Sequence, residues 1–128
     1  LRQLEATINE MLGICAANFR LSANETLSFT GHFHNGRTQN ARRFSGGQKV
    51  LTAMLFRIAV VLRFAANIGF LGLDEPTTFL DKKSVAAFRP LFERLRDMMA
   101  QRGLQCFIIT HEEELAPLAD KVTTLAVR

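Results

Sequence analysis

Ile68-Gly69-Phe70-Leu71-Gly72-Leu73-Asp74-Glu75-Pro76-Thr77-Thr78 is the stretch that decides the fold. Ile68 to Leu73 is a nearly continuous apolar run bounded by charge, the pattern of a strand buried on both faces of a parallel sheet. The run stops at Asp74-Glu75, so two carboxylates project from the carboxyl edge of that sheet, where open α/β folds bind ligands. Pro76 then fixes the turn. Downstream, Leu104 to Ile109 repeats the buried-strand pattern and leads directly into Thr110-His111, which brings His111 to the same edge. The intervening helix has Asp81 as its cap, Val85, Phe88, Phe92, Leu95 and Met99 as its buried stripe, and Gly103 as its stop. Pro90 is predicted to kink or interrupt it.

Upstream, Ser45 precedes a long helix predicted from about Gly47 to Ala66. Leu51, Leu55, Ile58, Leu62 and Ala65 share its inner face, and Asn67 and Gly69 mark its exit. Residues 18–44 change to a period of two through Phe19, Leu21, Leu27, Phe29 and Phe33, with turn chemistry at Ala23-Asn24 and Asn35-Gly36. This predicts a small antiparallel meander of two or three strands. Leu4, Ile8, Leu12 and Cys15 give residues 2–17 the stripe of an amphipathic helix, compatible also with the last turns of a coiled coil. At the other end, Glu112 to Asp120 reads as a short acidic helix and Val122 to Val127 as a closing strand. Strands alternating with helices make an α/β layer architecture with a parallel sheet the economical solution, because each crossover helix covers a sheet face.

Composition narrows the class. With 128 residues and 48% hydrophobic content, the chain supports one domain with its own core. The longest apolar stretch, around Val50 to Ile68, carries Arg57 and Arg63, which argue against a membrane span, and the N-terminus lacks a signal pattern. The chain begins at Leu1 and reads as a fragment, a processed product or part of a longer protein. Cys15 and Cys106 make neither a metal spacing nor a disulfide framework, so they read as reduced thiols of a cytoplasmic, nucleoid or nuclear protein. Residues 1–49 hold six basic groups against three acids within a formal net charge of +4, a balance that permits contact with phosphate or nucleic acid.

Three groups carry chemistry. Gly46 and Gly47 remove side chains where a helix begins, so backbone N–H groups and the positive helix end can face an anion, and Ser45 adds a hydroxyl. A serine-capped helix after a turn would look the same. Asp74 can hold magnesium through its water shell, while Glu75 can orient and deprotonate a water beside a γ-phosphate. The imidazole of His111 can hydrogen-bond a phosphate oxygen. No P-loop is legible. Gly31 to Thr38 fits its spacing with Arg37 in place of lysine, but no helix follows directly and His32-Phe33-His34 would crowd an amide nest, so Asn35-Gly36 reads as a hairpin turn.

Phe44-Ser45-Gly46-Gly47-Gln48, Leu71-Gly72-Leu73-Asp74-Glu75, Phe79-Leu80-Asp81 and His111 resemble, in order, the signature loop, magnesium-site strand, D-loop and switch histidine of ATP-binding-cassette ATPases. Within that superfamily, Gly47 to Leu51, Leu73 to Thr78 and Thr110 to Glu114 look most like the SMC-like ATPases of double-strand-break repair, the Rad-fifty group. The match runs from about Arg43 to Glu114, with Phe44, Ser45-Gly46 and Phe79 as local variations. The resemblance implies the C-terminal lobe of a split head. Residues 1–17 would end a returning coiled coil, 18–44 form the meander, and 45–128 form the α/β core; the P-loop would lie in an N-terminal lobe.

That resemblance also implies roles. Ser45, Gly46, Gly47 and Gln48 would contact an ATP held by a second head, in an ATP-dependent homodimer. Asp74 would serve magnesium, Glu75 and His111 would act on the nucleotide of their own head, and Asp81 would cross the dimer interface. The partners implied are the P-loop lobe, the second head, double-stranded DNA and a nuclease subunit, with no membrane. Alternatives sharing the chemistry are the head of a chromosome-organising SMC scaffold and the nucleotide-binding subunit of a transporter. Without its other lobe the chain is expected to be inactive.

Overall fold

A computed structural model describes residues 1–64, 69–78 and 80–126. The expectations for Ala65, Ala66, Asn67, Ile68, Phe79 and Val127 therefore lie outside the described residues. The elements are α1 (Arg2–Ile14), β1 (Phe19–Ala23), β2 (Phe29–Phe33), β3 (Thr38–Asn40), a 3-10 turn (Ala41–Arg43), α2 (Gly46–Phe64), β4 (Phe70–Asp74), α3 (Lys82–Gln101), β5 (Gln105–Ile109) and a second 3-10 helix (Glu113–Leu118). β1, β2 and β3 form an antiparallel sheet in that order, and β4 pairs with β5 in parallel. This is the predicted α/β architecture with its meander. No helix among the described residues is long and apolar enough to cross a membrane.

Burial follows the helical stripes. Leu4, Ile8, Met11 and Leu12 of α1 pack with Leu55, Ile58 and Leu62 of α2, and Phe88, Leu91, Phe92, Leu95 and Met99 of α3 join the same core. The first helix stops at Ile14, three residues earlier than predicted. Ala16 takes φ +53, and the N–H groups of Ala16 and Ala17 donate to the carbonyls of Gly13 and Leu12. This pair of bonds is a Schellman ending, with alanine where glycine is usual, so composition gave no stop signal.

Side chains of α1 also complete the edge of β1. Asn9 donates through Nδ2 to the Leu21 carbonyl at 2.8 Å and accepts the Leu21 N–H through Oδ1 at 2.8 Å. Two residues on, the Ala23 N–H donates to Glu5 Oε2 at 3.1 Å. A helix thereby satisfies backbone groups that an edge strand would otherwise expose. Inside the meander, Phe19, Phe33 and Phe44 form an aromatic cluster with Phe19–Phe44 centroids 5.3 Å apart. Asn24 Oδ1 accepts from the Thr26 and Ser28 N–H groups, and Gly36 takes φ +85 in the second turn. Gly31 lies in β2 and Thr38 opens β3, so the P-loop-like spacing is indeed a hairpin. Leu27 was expected in the apolar alternation; it sits instead in the first turn at φ +57, half exposed.

Four further expectations are corrected. Pro90 does not interrupt α3. It lies on the exposed side, where water can take the carbonyl that its missing N–H leaves free. The acidic helix is a 3-10 helix of six residues containing Pro117. Residues 121–126 form no strand; Val122 and Leu125 are exposed, and neither edge of the β4–β5 pair takes them up. β4 is buried on one face only, through Leu71 and Leu73, and all of β5 is exposed. Phe70 and Phe107 stack on the open face with centroids 5.0 Å apart. The apolar runs thus describe a sheet whose second face this chain does not cover.

Two measurements follow. A Cβ on Gly31 would sit 2.6 Å from Cζ of Phe44, so Gly31→Ala should destabilise the chain by about 1–3 kcal/mol in urea unfolding by displacing that ring. Burial pushes the Cys15 thiol up from 9.0 to about 11. Folding therefore disfavours its thiolate: its contribution is complete below pH 9 and is lost as pH rises toward 11. Roughly 2–3 kcal/mol should disappear across that window, and Cys15→Ala should flatten it.

Candidate active site

Parallel pairing of β4 with β5 aligns Leu73 with Ile108 and Asp74 with Ile109, so the chain leaves both strands at one edge. Past the last pair, the Glu75 N–H donates to the Ile109 carbonyl at 2.7 Å. Glu75 then turns with φ +45, a left-handed conformation that costs an L-residue about 1–2 kcal/mol. The Thr78 hydroxyl and N–H both donate to the Glu75 carbonyl, at 2.9 and 3.2 Å. Strain is thus fixed on both sides of the residue, and its carboxylate swings toward β5.

There it meets His111. Nδ1 of the imidazole lies 3.0 Å from Glu75 Oε2, and Nε2 lies 3.7 Å from Glu112 Oε1. With Nδ1–H donated to Glu75, Nε2 can accept a proton when the ring is neutral and can donate to an anion only when both nitrogens are protonated. Asp74 ends β4 and is exposed at the same edge. The expected convergence of Asp74, Glu75 and His111 is therefore seen, including a direct bond that sequence could not specify.

The Ser45 loop is a capping box. The Ser45 hydroxyl accepts the Gln48 N–H at 3.3 Å, and Gln48 Oε1 accepts the Ser45 N–H at 3.1 Å. Lys49 N–H donates to the Ser45 carbonyl. These bonds leave the N–H groups of Gly46 and Gly47 without partners among the described residues, facing outward at the positive end of a helix of 19 residues. The spacing Ser45-x-x-Gln48 was a readable signal for the box. Cap and anion loop are not rival readings, because the cap satisfies the third N–H and presents the first two.

The glycines are not required by the fold. A Cβ on Gly46 would meet nothing within 4 Å, and one on Gly47 would meet only Leu80 Cδ2 at 4.0 Å, an ordinary contact. Leu80 belongs to the turn that follows Glu75, so the two candidate groups approach each other there. No hydrogen bond or ion pair among the described residues joins the loop to Asp74, Glu75 or His111. Asp81 stands before α3, and its carbonyl accepts the Val85 N–H at 2.9 Å.

Among the described residues no group of three or more histidine, cysteine or carboxylate side chains could enclose a metal ion. One exposed carboxylate, Asp74, fits magnesium, which keeps most of its waters and takes its remaining ligands from phosphates. Paired free N–H groups at a helix start fit a phosphate in the same way. The residues present therefore suit a magnesium nucleotide, with each group supplying a part of its surroundings.

The family described as "AAA domain, putative AbiEii toxin, Type IV TA system" matches residues 4–116. The chain belongs to that family. The DNA repair protein RAD50 of Dictyostelium discoideum is 42% identical over 73 residues, 56% of this chain and 5% of that protein. The DNA double-strand break repair Rad50 ATPase of Thermococcus kodakarensis is 33% identical over 111 residues, 84% of this chain and 12% of that protein. This chain thus spans a small part of the length of these relatives. In structure it is similar to a solved chain described as "Structural biochemistry of ATP-driven dimerization and DNA stimulated activation of SMC ATPases", with a TM-score of 0.76 at 20% identity, covering 99% of this chain and 78% of that one. The fold is that of SMC-like ATPase heads, and the sequence is homologous to Rad50.

Since nothing in the chain fills the space over Gly46, Gly46→Ala should leave the thermal midpoint unchanged or slightly raised, alanine being the better helix former by about 0.5–1 kcal/mol. Ser45→Ala should lower stability by about 1 kcal/mol through loss of the cap. Circular dichroism melts of the two variants make the comparison.

Proposed function

We propose that this chain is the signature-bearing lobe of an SMC-like ATPase that works only with a P-loop lobe, closes as an ATP-dependent dimer on DNA, and governs a partner nuclease in double-strand-break repair. The observation that carries the reading is the pair of free N–H groups at Gly46 and Gly47. The fold does not need glycine at either place, whereas close approach of a phosphate from outside the chain does. In this reading Ser45, Gly46, Gly47 and Gln48 bind the nucleotide of a second head, and Asp81 meets that head across the interface.

Magnesium-bound ATP, when held there, supplies a phosphoryl group whose negative charge is partly neutralised. Asp74 holds a water of the magnesium shell. Glu75 orients the attacking water and takes its proton, and the backbone turn at Glu75 fixes where that carboxylate begins. His111 starts bonded to Glu75, and a phosphate that draws its ring away frees the carboxylate for water. Differential binding of ATP to the closed dimer is what favours that state.

A second reading, the head of a chromosome-organising scaffold, is favoured by the fold similarity to SMC heads. The two share ATP chemistry and differ in partner. Recovery of a nuclease subunit with the full-length protein supports repair, and its reproducible absence supports the scaffold.

The chain alone should show no measurable ATP turnover, and mixing it with its P-loop lobe should restore hydrolysis. Glu75→Gln in the mixture should cut the rate by about 100-fold or more and accumulate an ATP-bound dimer in size-exclusion chromatography. Normal hydrolysis by that variant would remove Glu75 as the base, and turnover by the pure chain would remove the requirement for a second lobe.

A further inference from the structure

We propose that the open face of the β1–β2–β3 meander is a contact surface for the phosphate backbone of duplex nucleic acid. The inference rests on the DNA-contacting part of the proposed function and gives it a location. Strand register brings two rows of side chains onto one face: Arg20, His32 and Thr38 in one row, and Ser22, Thr30 and Asn40 in the next. Residues of the alternate positions, such as Leu21 and Gly31, are buried against the core. Ser22 Oγ and His32 Nε2 are 2.7 Å apart, which confirms that neighbouring rows share a face. Every side chain in the two rows ends in a hydroxyl, amide, imidazole or guanidinium group.

At the end of β3 this face runs into a concavity of about 400 Å³ lined by Thr38, Gln39, Asn40, Arg42 and Arg43. The backbone carrying the two arginines is pinned: Asn40 Oδ1 accepts the Arg42 N–H at 3.0 Å, and Gln39 Nε2 donates to the Arg43 carbonyl at 2.7 Å. Across residues 18–45 four arginines face one acid, Glu25, which sits in the first turn. Arg20, Arg42 and Arg43 make no ion pair among the described residues, whereas Arg89, Arg94 and Arg96 on α3 each approach a carboxylate. The meander charge is therefore uncompensated within the chain.

Three features select the occupant. Guanidinium groups beside hydroxyl and amide donors suit phosphate oxygens. The two rows hold no aromatic ring on which unpaired bases could stack, which disfavours single strands. They hold no apolar side chain to enter a bilayer, which disfavours a membrane surface. Arg43 is followed by Phe44 and Ser45, so the surface adjoins the nucleotide loop through a single buried residue.

The test is fluorescence anisotropy of a labelled duplex with this chain, without nucleotide or second lobe, over a series of salt concentrations. Failure here is therefore separable from failure of the ATPase reading. The triple variant Arg20→Gln, Arg42→Gln, Arg43→Gln alters exposed side chains only, and circular dichroism checks its fold. Its affinity should fall by tenfold or more near 100 mM salt, with the log–log salt slope shallower by roughly 2–3 units at about 0.9 per phosphate contact. The charge-matched control Arg89→Gln, Arg94→Gln, Arg96→Gln should bind as the parent does. Equal loss in the control, no loss in the meander variant, or no duplex binding by the parent would overturn the proposal. So would equal competition by a single strand of the same length, or preferential capture by vesicles containing anionic lipid.

Discussion

The burial of Phe44 over Gly31 is the contact on which the rest of the arrangement depends. Its ring occupies the space that a side chain at Gly31 would need and lies edge-on to Phe19 and Phe33. Ser45 follows immediately, so the start of α2 is set by how well one phenylalanine fits a small aromatic core. The meander is in turn attached to α1 by the two-sided bond of Asn9 to Leu21. Packing and hydrogen bonding thus form a continuous path from α1 through β1 and β2 to the loop, with the exposed arginines along its outer side.

On the opposite side of the site the governing constraint is conformational. Glu75 occupies a backbone region that L-residues avoid, and it does so because Ile109 holds its N–H while Thr78 holds its carbonyl. Strain of this kind persists where the surroundings over-determine it, and it is concentrated at functional sites. Its consequence is geometric: the carboxylate of Glu75 reaches His111 across the gap between two parallel strands. The Gly47–Leu80 approach is where this turn and the Ser45 loop come near each other.

Much of the fold was legible because the helices carry their cores in their spacing. The stripes of α1, α2 and α3 identify their buried faces nearly residue for residue, and Asn35-Gly36 announces its turn. Illegible features have particular physical reasons. Ala16 ends α1 in a conformation that glycine normally signals, and Leu27 looks like a strand residue but occupies a turn. Pro90 is tolerated because its side of α3 meets solvent. The apolar runs of β4 and β5 record hydrophobicity without recording who covers it, so a one-faced sheet and a two-faced sheet read alike.

The sequence by itself determined the chemistry available: a hydroxyl and two glycines at a helix start, two carboxylates at one strand end and a histidine at another. Order and period placed these at element ends, since both are local properties of the chain. Tertiary structure decided which of them touch. The Glu75–His111 bond spans residues 36 positions apart and requires parallel register, while the free space over Gly46 requires that nothing else in the chain fold into it. The uncompensated charge of the meander is likewise a tertiary fact, because a carboxylate can neutralise an arginine only where the fold brings the two together.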